Sequence, residues 1–403
     1  MQDHKDGAVY EQNGWYPSWR CHVQNYAPIA AAATDLTQQL TFRNNLNGTK
    51  FRIRLSNQYG QEPLPVKRIQ VRVFHKCSKS SSKESAEKYC ALLIDGMEKK
   101  ILQPGEECMT DPLSISIKSG DLITVRITFP GKCHISGCCG FHSSDIGKVD
   151  FESSGKKIDA DKISLAVAKN FSTHVVFGIR SIEIYSTGKP VVLAAFGDSI
   201  VQQGYWMGSM QRKFVDSMPD WIVYNEGVSG NRVLYDNHSI SDLNPIFGKA
   251  AIHRFAKDVF SDSHPDIVMI AEGINELVHP GNGCPISEIV TAKELIEGFK
   301  VLCTLTEQRG SIPLLATLSP FLGYDGIWDR KREDVRQEVN EWIRSRPYVL
   351  DVDACVRSTC DASYLDHQFD SGDHLHLNAC AGEVISDEAL PILKAIMKKE
   401  TAA

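Results

Sequence analysis

VVLAAFGDSI, residues 191–200, is a run of small and apolar residues that stops abruptly on Gly-Asp-Ser. A buried strand that ends this way has two readings. Asp198 or Ser199 can cap the helix that follows. Alternatively, a serine at the carboxyl end of a parallel strand is placed for nucleophilic attack. The rest of the chain decides between them.

The chain has 403 residues, more than one ordinary core accommodates, so two domains are expected, at 1–187 and 188–403. Hydrophobic residues make up 42% and charged residues 23%, the composition of a globular protein. A formal net charge of -6 argues against nucleic acid as a partner. No apolar run approaches the ~20 residues that span a bilayer, so no membrane partner is expected. The polar start MQDHKDGAVYEQNGWY lacks the apolar centre of a signal peptide. The expectation is a cytoplasmic protein, or a secreted one if a leader has been removed. The twelve cysteines are scattered and read as free thiols that pack as small hydrophobes. In CHISGCCGFH, Cys133, His134, Cys138, Cys139 and His142 fit no standard zinc spacing, so no metal is expected.

The two halves differ in period. Between Trp15 and Tyr185, stretches such as LTFRNN, KFRIRLSNQ, IQVRVFH, LSISIKS, LITVRITFP and VVFGIRSIEIYS alternate polar and apolar residues. This is the mark of half-buried strands. Turn residues separate them, and the pattern predicts an all-β, jelly-roll-like sandwich. CSKSSSKESAEK reads as a solvated loop insertion. After STGKP, five apolar runs alternate with helical ones: VVLAAF, WIVYNE, DIVMIAE, IPLLATL and YVLDVDA. Helices are expected near 203–218, 245–261, 287–309, 329–346 and 378–399. Such a pattern predicts an α/β fold with a parallel sheet flanked by helices, whose ligands meet the carboxyl ends of its strands.

The strand ends carry chemistry. The first ends in FGDSI, the second in NEGVSGN and the third in AEGINE; DSGDHLHLN precedes the last helix. A serine hydroxyl needs a base, and histidine suits that task. Asp373 lies three residues before His376, so a turn can return its carboxylate to the ring and fix the tautomer. A tetrahedral oxyanion needs several donors. The Ser199 N–H, the Gly230 N–H and the Asn275 amide are the candidates. His374 is a rival base. It lies only one residue from Asp373, which places it at the surface or behind the reacting groups.

FGDSI, NEGVSGN, GINE and DHLH, in this order, resemble the four sequence blocks of the SGNH (GDSL-type) hydrolases. The resemblance covers residues 190–400. It implies a flavodoxin-like, five-stranded sheet of order 2-1-3-4-5, with Ser199 as nucleophile, Gly230 and Asn275 completing the oxyanion hole, and Asp373 with His376 completing the triad. It also implies acyl transfer without metal or cofactor. Two positions depart from the pattern: Glu276 stands where aspartate is usual, and Leu377 follows the histidine where proline is frequent. The first half is similar to β-sandwich domains that precede this module in bacterial esterases.

The residues near the blocks are polar and aromatic: Gln202, Gln203, Tyr205, Trp206, Asn231, Arg232 and Tyr235. Asp198, Trp206, Asn231 and Arg232 are the candidate substrate contacts, Trp206 by stacking on a sugar face. Together with the resemblance to two-domain esterases that act on acetylated polysaccharides or their fragments, they favour O-deacetylation of a carbohydrate, with an acetylated oligosaccharide as the small acylated substrate. Two alternatives stay open: a lysophospholipase or thioesterase with the same triad, and a carbohydrate-binding protein with an inert hydrolase module. Packing across the short STGKP junction would bring CHISGCCGFHSS to the site.

Overall fold

The computed structural model describes residues 13–75, 88–153, 155–158, 173–237 and 243–400. Most of the Ser- and Lys-rich stretch, residues 77–87, lies outside the described residues, as does the polar start to residue 12.

Antiparallel sheets fill the first half. One runs in the order Gly14–Arg20, Ile179–Ser186, Gly48–Ser56, Glu107–Met109, with Leu113–Ile117 also pairing to Gly48–Ser56. A larger one runs Lys156–Ile158, Lys148–Ser153, Ala31–Arg43, Leu122–Ile135, Leu64–Phe74, Cys90–Leu92. The predicted alternation is visible in their register. Leu36, Leu40 and Phe42 are buried, as are Phe129, Val125 and Ile123, the residues directly opposite them. Pairs of this kind are what stabilise a sheet.

A third, three-stranded sheet was not evident in the sequence. It joins His174–Phe177, Gly137–Phe141 and Gln24–Asn25. GCCGF lacks a polar/apolar alternation because Cys138, Cys139, Gly140 and Phe141 are all buried. The buried Gln38 ties this sheet to the larger one, donating to the Phe177 carbonyl at 3.1 Å and accepting its N–H at 3.0 Å.

The second half is the expected parallel sheet. Its strands are β1 (Val191–Gly197), β2 (Trp221–Gly227), β3 (Ile267–Ala271), β4 (Ile312–Ala316) and β5 (Val349–Leu350). They lie in the order β2-β1-β3-β4-β5, all pairs parallel. The chain leaves β1 to one side and returns on the other, so a crevice opens at the carboxyl end of β1. Ser199 lies there.

The helices are α1 (Ser199–Gln202), α2 (Tyr205–Ser217), α3 (Ala251–Phe260), α4 (Asn275–Val278), α5 (Ala292–Gln308), α6 (Arg330–Arg344), α7 (Val352–Val356) and α8 (Ala379–Glu400). Two of the expected helices and one expected strand differ for local reasons. The helix expected over 245–261 is split: a 3-10 turn, Asn244–Phe247, ends at Gly248, and α3 begins at Ala251. α5 starts later than expected because Thr291 and Glu294 form a capping box. YVLDVDA yields only a two-residue strand, since the Asp351 side chain accepts the Ala354 N–H and starts α7.

The two halves are packed together. The His22 N–H donates to the Asn225 carbonyl of edge strand β2 at 2.7 Å, and Asn45 donates to the Trp221 carbonyl at 2.6 Å. Arg20 and Arg180 reach the buried Glu226 of β2 at 2.5 and 3.3 Å. The first half thereby covers an edge that would otherwise be open to pairing.

Candidate active site

Asp198 caps α1, its side chain accepting the Ile200 N–H at 2.9 Å. Ser199 is therefore the first residue of a helix, where N–H groups have no intrahelical acceptor. Its Oγ lies 2.9 Å from Nε2 of His376. Nδ1 of His376 lies 2.6 Å from Oδ2 of Asp373. The other oxygen of that carboxylate accepts the backbone N–H groups of His376 and Leu375 at 2.8 and 3.1 Å. Burial would raise the Asp373 pKa, but the hydrogen bond and charge of His376 and these backbone donors outweigh it. The carboxyl is held well below its usual range, and an ionised Asp373 keeps the proton of His376 on Nδ1. The Nε2 lone pair then faces the serine hydroxyl, an arrangement that can take its proton. His374 is turned elsewhere, its Nδ1 pairing with Asp370 at 2.8 Å.

Gly230 lies in the turn after β2, with φ +71. A Cβ there would come within 2.2 Å of the Phe247 ring, so both conformation and space require glycine. Asn275 opens α4, and its amide donates to the Asn231 carbonyl at 2.8 Å. That bond uses one of its two amide hydrogens.

Ser199 and His376 border a cavity of about 330 Å³. Tyr26, Cys138, Gly140, His142, Thr173 and Val175 form one wall, all from the first half. Gln202, Gln203 and Ser229, with Leu243, Ile246 and Phe247, form the other. The segment CHISGCCGFHSS thus reaches the site through a strand, with Cys138, Gly140 and His142 on one side at the period of two. Burial, together with the charges of His376 and His174, lowers the His142 pKa to about 4, so its ring is neutral near pH 7. Tyr26 and the Leu243–Phe247 wall carried no motif that sequence reading could have used.

The four candidate substrate contacts are not on this cavity. Trp206 is 2% exposed and donates its ring N–H to the Ile200 carbonyl; it is core, with no face left for a sugar. Asn231 is buried, donating to the Phe247 and Lys249 carbonyls and accepting from Arg254. Arg232 is buried, paired with Glu288 at 2.7 Å. Asp198 is spent on the cap and faces a separate cavity of about 30 Å³ beside Glu272. Burial raises its pKa to about 6. These residues build the frame behind the site, as motif-adjacent polar groups in a buried turn must.

The cysteine-rich segment does not converge either. Cys139 points away from Cys138 and donates to the Cys21 carbonyl, and His134 pairs with Glu62. Among the described residues, no cluster of three or more His, Cys, Asp or Glu has metal-ligand geometry, and no helix is long and apolar enough to cross a membrane.

Residues 195–380 match the family model described as the GDSL-like lipase/acylhydrolase family. The chain carries a GDSL-like lipase/acylhydrolase domain. No curated protein matches it. Among solved structures, it is similar to a GDSL-like lipase from Bacteroides thetaiotaomicron, at 20% identity and TM-score 0.36 over 52% of this chain and 88% of that one. It is likewise similar to a carbohydrate acetylesterase from Sinorhizobium meliloti, at 15% identity and TM-score 0.39 over 51% and 99%. An acetyl xylan esterase matches at 19% identity and TM-score 0.37 over 50% and 98%. The GDSL-like domain takes in the carboxyl end of β1 and the loop of His376, while the sheets of the first half lie outside it.

Proposed function

We propose that this chain is a serine esterase that works through an acyl-enzyme. The observation that carries the reading is the hydrogen-bonded series Ser199–His376–Asp373 at the edge of a cavity. Ser199 Oγ attacks the ester carbonyl carbon as His376 Nε2 takes its proton. The oxyanion accepts hydrogen bonds from the Ser199 and Gly230 N–H groups and from the second amide hydrogen of Asn275. Collapse expels the alcohol, which takes the proton from His376. Water, deprotonated by His376, then attacks the acyl-enzyme and the acid leaves. These steps call for no metal or cofactor.

Two substrate readings differ in the acyl group. The first is removal of acetyl groups from a carbohydrate, with Gln202, Gln203 and His142 as hydroxyl partners. The second is an ester of a longer acid. Val175, Leu243, Ile246, Phe247 and the ring of Tyr26 favour the second, because they offer an apolar lining to a chain. Each methylene buried there is worth up to ~0.8 kcal/mol, or about fourfold in kcat/KM. A series of p-nitrophenyl esters from acetyl to decanoyl, run beside acetylated oligosaccharides, tests both. Rising kcat/KM up to about hexanoyl supports the second reading. A fall from acetyl onward, with acetate released from the oligosaccharides, supports the first. No turnover of any ester would leave the module inert and overturn both.

A further inference from the structure

Gly140 is a glycine without a backbone reason. It sits inside the strand Gly137–Phe141, opposite Val175, and it is absent from the glycines of positive φ. Glycine inside a strand weakens it and often marks a place where a ligand approaches closely. A Cβ added there would meet Gln202 Nε2 at 3.2 Å, Thr173 Cγ2 at 3.6 Å and Tyr26 Oη at 3.7 Å. All three belong to residues that line the cavity of Ser199 and His376. The missing side chain therefore opens cavity, not core. The nearest neighbour is the side-chain end of Gln202, and none of the three atoms is backbone, so a larger residue meets cavity wall and not the chain itself. The surrounding wall is fixed: Gln24 accepts from Gln202 and from Tyr26 Oη, and donates to the Ile246 carbonyl. The His142 N–H donates to the Gln203 carbonyl at 2.8 Å.

We infer that Gly140 sets the depth of the pocket that holds the acyl chain, so that a residue of the first half, outside the GDSL-like domain, decides which acids are accepted. This rests on the serine-esterase reading and on its longer-acyl form. Gly140 touches no reacting group in the proposal; it acts by leaving space.

The test uses the full chain with Gly140→Ala and Gly140→Val. Acyl-length profiles are measured with p-nitrophenyl esters, and a second series holds the acyl group at acetyl while the alcohol is lengthened. Octanoate binding to the Ser199→Ala protein, with and without Gly140→Val, is measured by calorimetry. The expected result is a loss of at least tenfold in kcat/KM for octanoyl esters in Gly140→Val. The loss for acetyl esters is at least tenfold smaller than the loss for octanoyl esters, Gly140→Ala lies between, and octanoate binding weakens at least tenfold. Equal losses for every acyl length in a folded variant overturn the inference, as does an unchanged profile. So does a change confined to the alcohol series, which would put the alcohol in this pocket. If no ester is turned over, the esterase reading fails by itself. Octanoate binding then decides the pocket: dependence on Gly140 sustains the role of that residue, and independence or absence of binding removes it.

Discussion

Both oxygens of Asp373 serve His376: Oδ2 lies 2.6 Å from ring Nδ1, and Oδ1 accepts the backbone N–H of the same residue at 2.8 Å. One carboxylate thus fixes both the ring and the chain that carries it. Asp373→Asn keeps the size but offers an amide hydrogen to a ring nitrogen that should itself donate. The wrong tautomer would point a ring N–H at Ser199. We expect kcat to fall by about three to four orders of magnitude, in a variant that still folds but melts lower near pH 7, because the depressed pKa of Asp373 marks a stabilising contact. The kcat of Ser199→Ala should fall at least as far. Steady-state kinetics beside a melting curve checks both, and near-normal turnover in either variant contradicts the assignment.

Asn275 separates catalysis from scaffolding. Its amide holds the Asn231 carbonyl, and its other hydrogen is proposed to meet the oxyanion. A donor used only in the transition state raises kcat and leaves KM alone. Asn275→Ala should lower kcat by about 100- to 1,000-fold, with KM nearly constant, while loss of the Asn231 contact costs about 1 kcal/mol of stability. Asn275→Asp should be no better, since its carboxylate repels the developing charge. A variant that loses stability but keeps its kcat would reduce Asn275 to a turn residue.

The strand-end chemistry was legible because it is local to motifs. Gly-Asp-Ser ends an apolar strand, and Asp-x-x-His fits one turn. The pocket was not, because its walls come from distant segments. Tyr26, Gly140 and Phe247 meet only after the three-stranded sheet has formed and packed against the second half, and no spacing records that. Trp206 shows the opposite error. Proximity to Ser199 in sequence suggested a surface role, but the start of α2 turns that ring inward. Likewise Asn231 and Arg232 are polar because the buried turn needs donors, and a single sequence does not separate that need from substrate binding.

Glu276 gives a pH prediction. It is fully buried, and one oxygen accepts the Leu234 N–H at 3.0 Å. Burial raises its pKa to about 8, against the pull of the Leu234 hydrogen bond and of Arg232. The folded value lies above the unfolded one. The neutral acid therefore costs nothing below the unfolded pKa near 4.5, and stability is lost as pH rises from there to about 8, by up to about 1.4 kcal/mol per unit. Glu276→Gln keeps an acceptor for Leu234 and removes the titration. Its melting temperature should exceed that of the parent at pH 8, and the two should converge near pH 4.5. A constant difference across that window contradicts the burial of a titrating acid.

The contact between the halves turns on Glu226. Burial alone would raise its pKa, but the charges of Arg180 and Arg20 and the hydrogen bond from His22 hold it well below the carboxylate range. Arg20 and Glu226 are 1% and 0% exposed at their side chains. A pair this deep gains little over a well-packed apolar substitute, yet breaking it from one side leaves buried cations without their counter-charge. Glu226→Ala should destabilise the fold by about 3–5 kcal/mol, far beyond the 0–1 kcal/mol of a surface pair. Glu226→Gln, which keeps an acceptor for Arg20, should lose less. Because the folded pKa is depressed, the pair's contribution is present above the unfolded pKa and fades as pH falls below it, so the deficit of Glu226→Ala should shrink in acid. Glu226 lines no part of the cavity of Ser199, so turnover per folded molecule should hold at low temperature. Chemical denaturation at pH 7 and at pH 4 measures the difference. A loss under 1 kcal/mol at pH 7 would mean that the two halves do not depend on this contact.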